Sequence, residues 1–316
     1  MKTNFSLLFI TLLFFTFCSN LHAQLSKKHY IPPLTYADNG NANAENQYFY
    51  ISTPSTQNVS FTIKKIGDAA GDINGVVSST NPQEIFIDAG GDSNNDGILE
   101  GQLFVLPDNT SKVINDKGFI IEADDVIYVS VRIIAGGGAQ AGALVSKGAS
   151  ALGTTFRAGM FTNENPQTNY LNFISVMATE NNTKVNFSDI PNGIDIQGYA
   201  GSLPIPEITL NEGESYVVAT NAALNNINRD GLIGTLITSD KPIVTNVGSA
   251  NGSFHNGSGR DYGIDQIVGV DKIGSEYIFV KGDGSDGWEN VLIVAHEDNT
   301  TVSLNGGATI ATLNKS

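Results

Sequence analysis

Residues 121–131 read Ile-Glu-Ala-Asp-Asp-Val-Ile-Tyr-Val-Ser-Val, and residues 237–247, 116 positions later, read Ile-Thr-Ser-Asp-Lys-Pro-Ile-Val-Thr-Asn-Val. A second pair is offset by 117: the run Met-Ala-Thr-Glu-Asn-Asn-Thr-Lys-Val-Asn-Phe at 177–187 returns at 294–304 as Val-Ala-His-Glu-Asp-Asn-Thr-Thr-Val-Ser-Leu. A fainter third copy covers residues 52–61. Such repetition favours stacked or strung modules that present a surface over one active site built once.

The chain between and around these repeats is rich in short β-branched and aromatic runs, which alternate with Gly, Asn, Asp and Pro clusters. No long stretch has helical periodicity, so we predict an all-β fold of tandem β-sandwich-like modules with an internal repeat of about 117 residues. A propeller is the alternative, but its blades are shorter than this period. Strands are predicted at 48–52, 59–63, 85–88, 103–106, 119–122, 126–134, 156–161, 172–178, 184–187, 215–219, 232–238, 243–247, 276–280, 291–295 and 301–304.

The Asn-Asn-Thr and Asp-Asn-Thr turns are predicted to close a repeated hairpin, because Asn and Asp side chains bond their own backbone and tolerate positive φ. The repeat divides the chain into predicted segments. These are a signal peptide at 1–23, a leader at 24–45, a first β module at 46–168, a second at 169–288, and the start of an incomplete third repeat at 289–316. The third repeat lacks partners that its earlier copies have, so either it completes a sheet with the N-terminal part or, as we expect, the chain is a fragment.

The first residues indicate export. Lys2 precedes an apolar run at 5–17 that is too short to span a bilayer, and Ala23 stands at the expected cleavage position. An alternative lipoprotein signal would use Cys18, but Phe17 stands where a small residue is expected. Cleavage after residue 23 removes the only cysteine of the sequence, so we expect a mature protein without a disulfide and without a transmembrane segment, secreted or held at the outer cell surface.

The net charge of the chain limits the kinds of partner that it can bind. The whole chain carries a net charge of −15, and loss of Lys2 with the leader makes it −16. Such a surface repels nucleic acid and anionic membranes, and it suits either plain solubility or divalent cations.

One stretch has the oxygen spacing of a calcium loop. Asp92, Asn94 and Asp96 stand at positions 1, 3 and 5, Gly97 permits a sharp turn, the carbonyl of Ile98 stands at position 7, and Glu100 at position 9. Leu103 occupies position 12, where an EF-hand has a bidentate Glu, so the motif is either a looser calcium site or an acidic turn between strands. Calcium is the one cofactor that the sequence suggests.

Four further residues suggest ligand contacts. Arg260, Asp261 and Asp265 adjoin a Gly/Asn/Ser-rich loop, where they bind either a sugar or peptide, or brace the loop by an ion pair. Trp288 follows a Gly-rich stretch and either stacks on a sugar face or anchors its loop on the core.

No stretch of the chain carries a strong catalytic signal. His255 and His296 lack a second His or a Cys at zinc-ligand spacing. Glu276 and Glu289 resemble the paired carboxylates of a glycosidase only loosely, and charge at strand edges is the simpler interpretation. We therefore predict no catalytic residues and no enzymatic activity.

Several blocks are similar to the N-terminal domain of the IgGFc-binding protein family, in the form found in large exported proteins of flavobacteria. The blocks are 117–124, 140–148, 151–159, 170–187, 240–243, 248–253 and 259–266. The resemblance spans roughly 45–307 and implies a secreted interaction module. Members of this kind open long modular proteins that end in a gliding-motility-associated or type IX secretion sorting domain, and no such segment occurs in this sequence.

Three functions remain open from the sequence. The first is an exported, non-enzymatic adhesion module that binds glycoprotein, glycan or protein ligands through loops on its β repeats, with avidity from repetition. The second is a carbohydrate-active or carbohydrate-binding protein, and the third is a structural spacer of a surface filament. The natural ligand and the oligomeric state are not encoded in any recognisable motif.

Overall fold

The fold is described from a computed structural model that covers residues 24–36, 44–88, 101–136, 138–161, 171–221, 225–253, 260–284 and 291–315. Nearly all regular structure in these ranges is β-strand, which confirms the all-β prediction. The strands are β1 (Ser26–Ile31), β2 (Leu34–Thr35), β3 (Ala44–Ser52), β4 (Val59–Lys65), β5 (Ile73–Val77), β6 (Gln83–Asp88), β7 (Phe104–Val105), β8 (Val113–Ile114), β9 (Phe119–Ala135), β10 (Gln140–Val145), β11 (Gly153–Arg157), β12 (Leu171–Ala178), β13 (Thr183–Ser188), β14 (Ile208–Leu210), β15 (Ser215–Asn221), β16 (Leu236–Gly252), β17 (Asp261–Ile267), β18 (Thr300–Ser303) and β19 (Thr309–Leu313). Helical segments are α1 (Asn226–Asp230) and short 3-10 turns at Ala69–Gly71, Pro107–Asn109, Gly148–Ala151 and Val270–Lys272.

Two long strands organise the molecule. β9 and β16 each contain 17 residues and carry the repeated stretch with which the sequence analysis began. Residues 116 apart face the core in both strands. Ile121 and Ile237 are fully buried, and Val131 and Val247 are almost completely buried. The prediction of two separate strands in each copy was wrong. In β9 the polar residues between the apolar runs form an exposed stretch inside one continuous strand, because β1 pairs with β9 on both sides of this stretch, with an irregularity between Ser26 and Lys28.

Among the described residues, each long strand pairs with four strands in an equivalent arrangement. β1 and β4 pair with the amino-terminal half of β9, whereas β3 and β10 pair with its carboxy-terminal half. In the second repeat, β11 and β13 pair with the amino-terminal half of β16, whereas β12 and β17 pair with its carboxy-terminal half. β11 lies before residue 169, yet it pairs with β16 of the second repeat.

The predicted hairpins do not form in the first two repeats. β3 pairs with β6 and β9, and β4 pairs with β5 and β9. The turn between β3 and β4 therefore joins a strand paired with the carboxy-terminal half of β9 to a strand paired with its amino-terminal half. β12 and β13 behave in the same way on β16. The predicted backbone of the turn is confirmed, since Asn182 has φ 55° and Asn299 has φ 59°.

The two repeats share a core rather than standing apart. Phe49 of β3 and Phe119 of β9 meet edge to face with ring centroids 5.0 Å apart. Phe173 belongs to the same cluster although it lies on β12 of the second repeat, while Ile174 and Val176 point to a second cluster. The sheet of β12, β15 and β16 is therefore packed on both of its faces.

Two predicted strands are not observed. Residues 276–280 and 291–295 have strand-forming sequences, but the structure assigns no strand to either segment. Tyr277, Ile278, Phe279 and Val280 are 61%, 88%, 63% and 89% exposed. A strand needs a hydrogen-bonding neighbour, and neither segment has a paired strand among the described residues.

Candidate functional site

Part of the predicted site lies outside the described residues. This applies to the whole calcium loop, namely Asp92, Asn94, Asp96, Ile98 and Glu100, and to Trp288. His255 and Glu289 also lie outside.

The predicted loop residues Asp261 and Asp265 lie on β17, at the seam where β17 meets β10 of the first repeat. The Asp261 carboxylate accepts a hydrogen bond of 2.8 Å from the backbone N–H of Ala141. The Asp265 carboxylate forms an ion pair with Lys147, Nζ to Oδ1 2.7 Å. Arg260 immediately precedes β17. The two carboxylates thus hold the two repeats together at the places where the sequence suggested a ligand.

A buried polar cluster lies beside this seam. His29 Nδ1 is 2.9 Å from the hydroxyl of Ser146, which in turn lies 3.1 Å from the side-chain oxygen of Gln266. His29 Nε2 is 3.1 Å from the carbonyl oxygen of Ile127, which accepts a hydrogen bond when this nitrogen carries the ring proton. Gln266 also donates to Asn246 at 3.2 Å. The cluster connects β1, the chain after β10, β16 and β17, and therefore fixes both repeats at one point.

We expect the stability of this seam to depend on pH through His29. Burial lowers the pKa of the His29 imidazole below its usual 6.5. The unfolded chain thus binds a proton at a higher pH than the folded chain, so stability is full above pH 6.5 and is lost as the pH falls through the folded-state pKa. Urea unfolding at pH 7.5 and 5.5 measures this loss. His29→Gln should show a smaller loss over the same interval, and an equal loss in both proteins would contradict the role of His29.

The described surface also carries an exposed aromatic patch, which we call the aromatic face. It consists of Tyr48 and Tyr50 on β3, Phe86 on β6, and Arg132 on β9. Strand alternation explains it, since Phe49 and Ile51 of β3 point into the core and their neighbours point out. Tyr50 is 39% exposed and Phe86 53% exposed.

The strand register brings these side chains together. Tyr48 stands opposite Phe86 on one side and opposite Arg132 on the other. The rings of Tyr48 and Phe86 meet with centroids 5.6 Å apart, and those of Tyr48 and Tyr50 lie 6.4 Å apart. The Arg132 guanidinium lies 5.8 Å from the centre of the Tyr50 ring. The result is a continuous row of aromatic rings with one cation on it.

The electrostatics of the face suit a polar partner. A hydrogen bond with the Glu84 carboxylate raises the pKa of the Tyr50 phenol. Arg132 and Glu84 give the row one charge of each sign beside apolar rings. Tyr and Arg side chains of this kind dominate the energetics of protein–protein contacts.

The equivalent face of the second repeat is buried against the first repeat. Counting by the 116-residue offset of the long strands, Val131 corresponds to Val247, so their partners Phe49 and Ile174 correspond as well. Tyr48 then corresponds to Phe173, which is fully buried in the core of the first repeat. The aromatic face is therefore the first repeat's copy of a surface that packs against protein in the second repeat.

Sequence reasoning missed this face. The alternation of residues 48–51 marks which side chains point outward, but the partners on β6 and β9 depend on strand register. β9 itself was predicted as two strands, so Arg132 had no assigned neighbour.

A smaller candidate site is a pocket of about 300 Å³ in the second repeat. Its walls include Asn192, Asp195, Tyr199 and Leu203. The Tyr199 hydroxyl donates to the Ser202 carbonyl oxygen at 3.2 Å, which holds the ring beside the opening.

Within the described ranges, no three His, Cys, Asp or Glu side chains form a group that would hold a metal ion. His296 instead lies 3.4 Å from Arg157, with the guanidine Nε donating to Nδ1. In the same ranges no helix is both long enough and apolar enough to span a bilayer.

Comparison with known proteins gives one match. Residues 141–316 fit the model of a protein family described as "IgGFc binding protein", and this segment is more than half of the chain. It begins within β10 and includes the whole second repeat, whereas the aromatic face lies before it. Neither the curated proteins nor the solved structures contain a match to the chain.

Proposed function

Because the chain belongs to the IgGFc binding protein family, a family of typically extracellular binding domains, we propose that it is a non-enzymatic interaction module that binds a protein or glycoprotein through the aromatic face. The leader predicted at 1–23 supports a position outside the cell or on its outer surface. The resemblance to exported gliding-motility and type IX secretion-associated proteins supports the same address. The observation that carries the proposal is the row of Tyr48, Tyr50 and Phe86 with Arg132, in which Tyr50 and Phe86 are exposed and Tyr48 is half-buried.

The chemistry of this row supports a protein partner. Large rigid rings bury much apolar area at small entropic cost, and a guanidinium adds directional hydrogen bonds. The equivalent face of the second repeat packs on protein within this molecule, so the shape of the face suits such a contact. Repetition and neighbouring copies would add avidity without new contacts.

The test is a glycan and glycoprotein array, immunoglobulin G included, probed with residues 24–316. We expect a protein or glycoprotein spot to bind, and Tyr50→Ala or Arg132→Ala to weaken that binding by about 30-fold, the equivalent of about 2 kcal/mol for a central contact. Val76→Ala is the matched control, because Val76 is 42% exposed on β5, outside the face. Equal binding by all three variants would refute the assignment of the face.

A glycan is the second candidate ligand. The pocket beside Tyr199 and Asp195 offers one aromatic ring and one carboxylate, the groups that hold a sugar ring and its hydroxyls. Selective binding to free glycans that survives Tyr50→Ala but is lost in Tyr199→Ala would favour this pocket. A blank array from folded protein would favour the spacer function.

Calcium binding by the loop of Asp92, Asn94, Asp96, Ile98 and Glu100 is also a proposal, supported by the spacing of its oxygens. We expect millimolar calcium to raise the melting temperature, since a ligand that binds only the folded state stabilises it. Asp92→Ala should abolish the rise, whereas Asp68→Ala, in another acidic turn, should retain it. An unchanged melting temperature on addition of calcium would contradict calcium binding by this loop.

The assignment of Arg260, Asp261 and Asp265 to ligand binding stays a proposal. The contacts of Asp261 and Asp265 with the first repeat support a structural role in addition to any ligand binding. Substituting Asp261 or Asp265 should therefore alter stability whether or not it alters binding.

A further inference from the structure

The exposed apolar segments after β17 have counterparts earlier in the chain. Glycine residues at 142 and 263 occupy matching positions on β10 and β17, 121 residues apart, opposite residues of the long strands that match by the 116 offset. The same spacing relates the 3-10 turn Gly148–Ala151 to the turn Val270–Lys272. It then aligns Phe156 of β11 with Tyr277, and Ala158 with Phe279.

The next segments continue this correspondence. Residues 291–295 and β18 follow 276–280, as β12 and β13 follow β11, with Asn182 and Asn299 at the same left-handed turn. The chain therefore contains a third copy of the sequence segments that form, in the first two repeats, the strands that pair with a long strand. We call the segments 274–280 and 291–303 the third strand set.

The third strand set differs from the first two in burial. Phe156 and Ala158 are fully buried, whereas their counterparts Tyr277 and Phe279 are 61% and 63% exposed. Ile174 and Val176 are fully buried, whereas Val291 and Ile293, 117 residues later, are about half exposed. In both earlier sets the side chains are covered once a 17-residue strand lies between the partners. Among the described residues, no such strand reaches the third set.

The third strand set already rests on the second repeat at one point. Leu292 and Val294 face Gly159, just beyond β11, and Ala295 is buried like its counterpart Ala178. His296 contacts Arg157 of β11. One end of the set is thus anchored on the second repeat, while its apolar side chains remain exposed to solvent.

We propose that the third strand set is a docking site for an extended strand with the pattern of β9 and β16, supplied by a partner chain that carries a copy of the repeat. The incoming strand inserts its amino-terminal half between 276–280 and β18, and pairs its carboxy-terminal half with 291–295. Backbone hydrogen bonds supply the affinity, and alternate side chains cover Tyr277 and Phe279. Among the described residues β18 pairs with β19 alone, and an exposed strand edge of this kind accepts an added strand readily. The proposal is independent of the aromatic face and of its ligand.

The test uses residues 24–316 and a synthetic peptide with the sequence of β16, residues 236–252. Hydrogen exchange of the protein is measured with and without the peptide. We expect exchange at 275–280 and 291–304 to slow by about tenfold at saturation, a change of about 1.4 kcal/mol in local opening. A peptide of the same composition in scrambled order should have no effect.

Two protein variants make the test specific. Phe279→Asp places a charge where the incoming strand would bury it and should abolish the protection. Ile227→Asp, on the exposed side of α1 and 44% exposed in the native protein, should leave the protection intact. Protection by the scrambled peptide, protection confined to 171–188, or a dimer that protects the set without peptide would each overturn the proposal.

Discussion

Phe173→Ala is expected to lower the free energy of unfolding by about 3–5 kcal/mol, the usual cost of removing a buried phenyl ring. Phe173 is fully buried, and it lies on a strand of the second repeat while its ring packs in the core of the first. The cavity therefore weakens both repeats together. Urea denaturation followed by circular dichroism should show a single transition in both proteins, at a much lower midpoint in the variant.

The control for this experiment is Tyr50→Ala, which removes an aromatic ring from the exposed outer face. Surface substitutions of this kind change stability by about 0.5 kcal/mol or less. Two separate transitions in the native protein, with only the later one shifted by Phe173→Ala, would show that the repeats unfold independently and would contradict a shared core.

Gly142→Val is expected to destabilise the seam between the repeats by about 1–3 kcal/mol, the usual cost of overpacking. Gly142 of β10 pairs in parallel with Tyr262 of β17. A Cβ atom at this position would lie 2.7 Å from the Cβ of Tyr262 and 2.8 Å from Cγ1 of Ile133. Both neighbours belong to the buried core and have little room to move.

Ala143→Val is the matched control, since residue 143 is the next position on the same strand and points to solvent. A β-branched residue suits an exposed strand position, so this variant should keep its stability. Urea midpoints measure the difference, and hydrogen exchange at 261–267 reports whether the seam has opened. Equal midpoints for the two variants would mean that the seam tolerates the extra volume.

The sequence predicts the class of the fold because the repeat and the alternation of side chains are local signals. Asn182 and Asn299 adopt the predicted turn, and the core positions Ile121 and Ile237 follow from the repeat. Pairing is different, because it depends on partners far away in the chain. The turn between β3 and β4 looks like that of a hairpin, but each strand finds its partner on β9.

The long strands show why the pattern fails at one point. Asp124 and Asp125 interrupt the apolar pattern and are exposed, which in sequence resembles a turn. The backbone nevertheless stays extended through them, because Ala123 still pairs with Phe61 while Ile127 pairs with Ser26. Polarity marks exposure here rather than the end of the strand.

The candidate site was less accessible to sequence reasoning than the fold. Asp261 and Asp265 were identified as chemically capable residues, but only the spatial arrangement reveals their contacts with Ala141 and Lys147. The aromatic face requires the register of three strands at once. The third strand set was predicted as ordinary strands, because a local pattern carries no information about whether a partner is present.

Each long strand follows most of its partners in the chain, and this has a consequence for the order of folding. A polypeptide emerges from its site of synthesis or export with the amino terminus first, so β1, β3 and β4 are released before β9. Until residues 119–135 emerge, β3 and β4 can pair only with β6 and β5, and β1 lacks the strand with which it pairs. Each repeat thus closes only when its long strand arrives and joins the earlier strands, after which β10 or β17 is added.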